Sequence, residues 1–150
     1  MRTFLLTHNP ELWHMPDGEW LDDLEAVRAG ASVPGGWSTG SRKDMDVGDR
    51  VYLLRQGPEP RGIIASGWTT SEPSPDEHWD DQGGEATYVD VEWDAMVSMD
   101  EPLPTSLLLT DVTQVPWNSL RAGGVEVKHA AAAARCQRRA GIDPLATDWN

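Results

Sequence analysis

The chain has 150 residues, with 12 Lys and Arg against 25 Asp and Glu, for a net charge of −13 at pH 7. That balance argues against loose, charge-driven binding to ordinary nucleic acid, and a single cysteine, Cys136, excludes an internal disulfide and fits a reducing compartment. No apolar run approaches the roughly 18 residues of a membrane span, and the first residues, MRTFLLTHNP, hold too short an apolar run for a signal peptide, so a soluble, cytoplasmic protein is expected.

In chain order, Thr3–Thr7 (TFLLT) is a short apolar run that predicts a buried strand, ended at His8-Asn9-Pro10 because proline donates no ladder bond and restricts its predecessor. The segment Asp17–Arg28 predicts a helix. Trp20, Leu24 and Val27 share one face with Leu21 beside them, acidic residues open it and Gly30 stops it. Trp37–Arg42 (WSTGSR) reads as a polar, Gly-containing loop, followed by a turn at Val47-Gly48-Asp49 and a strand from Arg50 to Arg55. After a Gly/Pro connection with Gln56-Gly57-Pro58-Glu59-Pro60, Gly62–Thr69 predicts a second strand.

Further on, Glu72–Glu85 is rich in Pro, Asp and Gly without an apolar period and predicts an acidic surface loop. Tyr88–Trp93 alternates, which places Val89, Val91 and Trp93 on one face of a strand and Tyr88, Asp90 and Glu92 on the other; Asp94–Met99 extends or bulges it. Leu107–Val112 is an apolar run of either type. Val127–Arg139, with five consecutive alanines, predicts a closing helix. Several short strands with a helix near each end, and no regular strand–helix alternation, indicate one mainly β domain of α+β class over residues 1–150, an open or closed β-barrel with peripheral helices.

The basic residues gather in Arg42–Arg61 and Arg121–Arg139, with none between Arg61 and Arg121. Should the two segments meet, they form one basic face on an acidic body; otherwise the charges are solvated surface. Eight tryptophans stand against one Phe and two Tyr. Trp fills cores and also offers a platform for stacking bases or caging cations.

The four histidines, His8, His14, His78 and His129, show no zinc spacing with the lone cysteine, and no phosphate loop, dinucleotide fingerprint or Gly-x-Ser-x-Gly elbow occurs. No metal, cofactor or nucleophile is indicated. What remains is binding chemistry. Thr7-His8-Asn9 follows a buried strand and is either a pocket wall or a plain Asx-type turn. Trp37-Ser38-Thr39-Gly40 offers an aromatic face and hydroxyls. Arg55-Gln56-Gly57 offers a planar fork and an amide at a strand end. Arg42, Lys43 and Arg61 are candidate phosphate contacts.

The order of these motifs resembles the EVE domain of the PUA-like superfamily, in particular the EVE-like modules found beside HNH nucleases in modification-dependent restriction. The resemblance rests on Phe4–Pro10, Trp37–Arg42, Gly48-Asp49 leading into Val51–Gly57, Gly62–Gly67, Tyr88–Val91 and Gly124–Val127. It covers the chain to about Arg135. It implies a PUA-like barrel related to the YTH readers that receives a flipped modified base in an aromatic pocket. Trp37 would stack, Asn9, Ser38 or Gln56 would read the base edge, and Arg42, Arg55 and Arg61 would hold phosphates. Modified DNA is favoured over RNA as partner, and a separate nuclease or other effector would supply any cleavage. The chain departs from the family in carrying His8-Asn9-Pro10 where many members have Ser-Glu-Pro. This leaves the ligand open, a modified backbone such as phosphorothioate included.

Two other classes stay in view. A small hydrolase of modified nucleosides, as among ASCH relatives, would need a lysine, and Lys43 adjoins the candidate loop. A protein-interaction module would use the acidic segment Glu72–Glu85 against a basic partner.

Overall fold

The computed structural model describes residues 2–10, 18–40, 42–76, 86–106, 109, 117 and 124–127. All but Val127 of the expected closing helix over 127–139, all but Leu109 of the apolar run 107–112 and most of the acidic segment 72–85 lie outside them.

Strand β1 (Thr3–His8) pairs in parallel with β3 (Arg50–Arg55), from Thr3 opposite Arg50 to His8 opposite Arg55. Phe4, Leu5, Leu6 and Val51–Leu54 are essentially without solvent exposure. These two strands are covered on both faces, which is why each reads as an unbroken apolar run instead of an alternating one. β3 turns back into β4 (Gly62–Thr69), and β4 pairs antiparallel with the long β6 (Ala86–Met96). β6 in turn carries β2 (Val33–Gly40) and the short β5 (Ser74–Asp76), while β7 (Leu103–Pro104) lies on β4 and β8 (Val125–Glu126) on β1. The order across the sheet is β2-β6-β4-β3-β1-β8.

Register shifts at Leu53/Leu54, Ser66/Gly67 and Ser38/Gly40 break the ladders at three places. Each local irregularity bends its strand and raises the twist, so the sheet curls. Its two ends then meet through side chains. The Trp37 indole N–H of β2 donates to the Thr7 carbonyl of β1 at 2.9 Å. The Arg42 Nε–H donates to the Gly124 carbonyl beside β8. The barrel is thus closed by a seam of side chains and not by a continuous ladder.

The interior is lined by Phe4 and Leu6, Val51 and Leu53, Ile64, Val89, Val91 and Trp93, with Met45, Met96 and Val97. The alternating reading of Tyr88–Trp93 agrees with this: Val89, Val91 and Trp93 are buried and Asp90 is exposed. The strand begins earlier, at Ala86, and Asp94–Met96 both extend it and bulge opposite β4.

Helix α1 (Glu19–Arg28) lays Trp20 and Leu24 onto this core, and the Trp20 indole N–H donates to the Val97 carbonyl at 2.9 Å. The helix ends in a Schellman arrangement: Gly30 N–H donates to Val27 O and Ala31 N–H to Ala26 O. Leu21, placed beside the buried face by its spacing, is 59% exposed, while Ala26 and Val27 pack against the core with Trp20 and Leu24.

The predicted polar loop Trp37–Arg42 is corrected by the structure: up to Gly40 it belongs to strand β2, paired with β6 from Val33–Trp93 to Gly40–Thr87. Cross-strand pairing overrides its Gly- and Ser-rich composition. Gly35 is needed there, because an added Cβ would stand 2.7 Å from the Trp93 indole nitrogen. Within the predicted acidic loop, Ser74–Asp76 likewise forms a strand, since β6 offers it a free edge.

The turn at Val47-Gly48-Asp49 is present and ties down the N-terminal strand. The buried Asp49 carboxylate accepts from the backbone N–H of Arg2 and of Asp46, both at 2.9 Å. Its own N–H donates to Asp46 O and Thr69 Oγ1.

Candidate nucleic-acid interface

Side chains alternate along strands, so His8 follows Phe4 and Leu6 on the inner face of β1, and Arg55 follows Val51 and Leu53 on the inner face of β3. Trp37 packs against the same core from β2. One end of the barrel interior is therefore lined with His8, Arg55 and Trp37. This end is the candidate site.

The Trp37 ring meets His8 edge to face, with centroids 5.5 Å apart and planes at 84°. Its N–H is held by Thr7 O, so the indole cannot swing freely. His8 is 4% exposed, and its pKa is lowered to about 4, first by burial and then by the positive charge of Arg55. At neutral pH its imidazole is uncharged and offers one donor and one acceptor.

Arg55 NH1 donates to the Met99 carbonyl at 2.7 Å, and its Nε is buried without a hydrogen-bond partner among the described residues. The backbone continues the pairing past the strands, with Gln56 N–H donating to His8 O at 2.8 Å. Gly57 has φ +84°, and a Cβ there would lie 2.5 Å from Asn9 Oδ1. Gly57 thus lets the Asn9 side chain rest against the opposite backbone, and the two strand ends form one rim.

Of the residues singled out in the sequence, the structure brings together Thr7, His8, Asn9, Trp37, Arg55, Gln56 and Gly57. The rest lie elsewhere. Thr39 is fully buried and donates to Arg42 O at 2.8 Å and Thr87 O at 3.3 Å, and Ser38 Oγ accepts from Gly40 N–H. Those two hydroxyls thus fix the end of β2 and its continuation to Arg42. Arg42 pairs with Asp44 at 2.9 Å and Arg61 with Glu59 at 3.0 Å, so neither offers an unmatched charge for a phosphate. Lys43 is exposed. In the basic stretch Arg42–Arg61, Arg42 and Arg61 are met by carboxylates two residues away and Arg50 by the distant Asp94, which leaves Lys43 and Arg55 without an ion pair among the described residues.

A second polar cluster, with no local sign in the sequence, lies on the outer face of the sheet. Arg50 NH1 pairs with Asp94 at 3.0 Å and approaches Ser66 Oγ at 3.4 Å, with the guanidinium 5.9 Å from the Trp68 ring. These residues come from three strands, and only the register β3–β4–β6 makes them neighbours.

No three His, Cys, Asp or Glu side chains among the described residues gather to hold a metal ion, and none of the described helices is long and apolar enough to cross a membrane.

No family model matches the chain, and no curated protein does. Solved structures match well. A hypothetical protein from Leishmania major has a TM-score of 0.62 at 15% identity, over 96% of this chain and 97% of that one. A Pseudomonas syringae protein has a TM-score of 0.60 at 16% identity, over 89% and 96%. The Mmi1 YTH domain has a TM-score of 0.50 at 11% identity, over 96% and 77%. The likeness is one of fold: a mainly β, curled barrel sheet with a peripheral helix.

Proposed function

We propose that this chain is a non-catalytic EVE-like reader of modified nucleic acid, with DNA favoured over RNA, which receives the modified group at the barrel end lined by Trp37, His8 and Arg55. The observation that carries the reading is the Trp37–His8 pair. An indole fixed by a backbone hydrogen bond stands edge to face with a buried, neutral imidazole, at a strand-end rim that also presents Asn9 and Gln56. A flat base stacks on an aromatic ring, and neutral donor–acceptor groups read its edge. Stacking and edge bonds together must repay the few kcal/mol of base flipping. The acidity of the protein as a whole suits this mode, since affinity then comes from the modified group and not from the phosphate backbone. Any cleavage would belong to a separate effector.

The test is binding to short duplexes at low salt. The panel holds unmodified, 5-methylcytosine, 5-hydroxymethylcytosine, N6-methyladenine and phosphorothioate DNA. The Mmi1 YTH domain has been solved in complex with RNA, and matched RNA oligonucleotides complete the panel. Selective binding of one modified member, lost in Trp37→Ala and retained in Lys43→Ala, is the expected result. Uniform binding, or none, overturns the reading.

A further inference from the structure

Arg2, Arg42, Arg50 and Arg61 each lie within ion-pair distance of a carboxylate. Arg55 does not: among the described residues it has no carboxylate partner, and a backbone carbonyl, Met99 O, holds it instead. A guanidinium cannot lose its proton in a protein. Among the described residues, the barrel end therefore carries a fixed positive charge with no carboxylate in ion-pair contact, in a chain whose net charge is −13.

We infer that Arg55 makes this end a charge filter, so that the site admits uncharged modified bases and rejects bases that carry a positive charge. The inference rests on the reader function proposed above and names the ligand class of that same site.

Two features make the filter local. A Trp face by itself attracts cations through its ring quadrupole, and the acidic body attracts them at long range, so both would favour a cationic base. Arg55 opposes them at the site. It shares a rung of the β1–β3 pair with His8, its Nε is buried, and poor screening at a half-buried site strengthens like-charge repulsion. Buried His8 is neutral and gives no compensation. The nearby Glu59 is exposed and engaged by Arg61, and Asp100, next to Met99, is exposed. Neither is within ion-pair distance of Arg55.

The experiment compares isomers that differ in where the methyl group lies and in charge, placed in the same single-stranded oligonucleotides. They are 5-methylcytosine against cationic 3-methylcytosine, and N6-methyladenine against cationic 1-methyladenine. Affinities are measured for the wild-type protein, Arg55→Lys and Arg55→Met, with circular dichroism to verify folding. For the pair containing the recognised base, the wild type should prefer the neutral isomer by about tenfold or more. Arg55→Lys should keep that preference. Arg55→Met should narrow it by gaining affinity for the cation, which a purely structural role for Arg55 would not produce. Equal wild-type affinities for the two isomers overturn the filter alone, as does a preference unchanged in Arg55→Met. If Arg55→Met does not fold, the wild-type and Arg55→Lys comparison decides. Absence of binding to every oligonucleotide overturns the reader function and the filter with it.

Discussion

His8 and Arg55 occupy the same rung of a parallel strand pair, both on the inner face of the barrel, so a permanently charged guanidinium stands beside a nearly inaccessible imidazole. Burial first, and this neighbour second, lower the His8 pKa to about 4 from an ordinary 6.5. The unfolded chain then binds one more proton than the folded chain between those values. Stability contributed by neutral His8 is complete above pH 6.5 and is lost as the pH falls toward 4, on the order of 3 kcal/mol in all. Urea denaturation at pH 7, 5.5 and 4.5 should show this decline, and His8→Gln should flatten it. An NMR titration that finds His8 protonating near pH 6.5 would sink the prediction.

Trp37→Phe keeps an aromatic ring but removes the N–H that Thr7 O accepts. The part-buried carbonyl loses its partner, and the variant should lose about 1 kcal/mol of stability. Chemical denaturation measures this directly. A variant as stable as the wild type would mean that the seam bond contributes nothing.

Gly57→Ala places a Cβ against Asn9 Oδ1 at a backbone φ of +84°. The expected cost is about 1–3 kcal/mol, part steric and part conformational. Combining it with Asn9→Ala separates the two, because only the steric part is relieved. A double-mutant cycle without coupling would show that the two residues do not meet.

Asp94→Ala leaves Arg50, whose side chain is 13% exposed, without its carboxylate. The loss should be about 1–3 kcal/mol. Removing the carboxylate of the exposed Glu59–Arg61 pair should change stability far less, because solvent screens it. Equal effects of Asp94→Ala and Glu59→Ala would contradict this account of the outer-face cluster.

The strands with strong local signals were legible in the sequence. Phe4–Leu6 and Val51–Leu54 are apolar enough to need cover on both faces, and Val89, Val91 and Trp93 alternate. The pairing that makes β1 and β3 parallel neighbours leaves no local trace, and neither does the three-strand meeting of Arg50, Ser66 and Asp94. The end of β2 reads as a loop because Gly, Ser and Thr describe one until a partner strand supplies the missing ladder. In the candidate site, the grouping of Thr7–Asn9 with Arg55–Gly57 and Trp37 could be anticipated from motif order. The fastening role of Thr39 could not, since a buried threonine and a ligand-facing one look alike in sequence. Nor could the pairing of Arg42 and Arg61, which depends on rotamers that bring carboxylates two residues away into contact.

The seam through which β2 meets β1 runs through the same indole that lines the candidate site. Ladder bonds rise and fall together, whereas the Trp37–Thr7 bond can break alone, leaving every strand pair intact. One side chain therefore serves both the joint between β2 and β1 and the lining of the candidate site, so a substitution at Trp37 reaches closure and surface chemistry together.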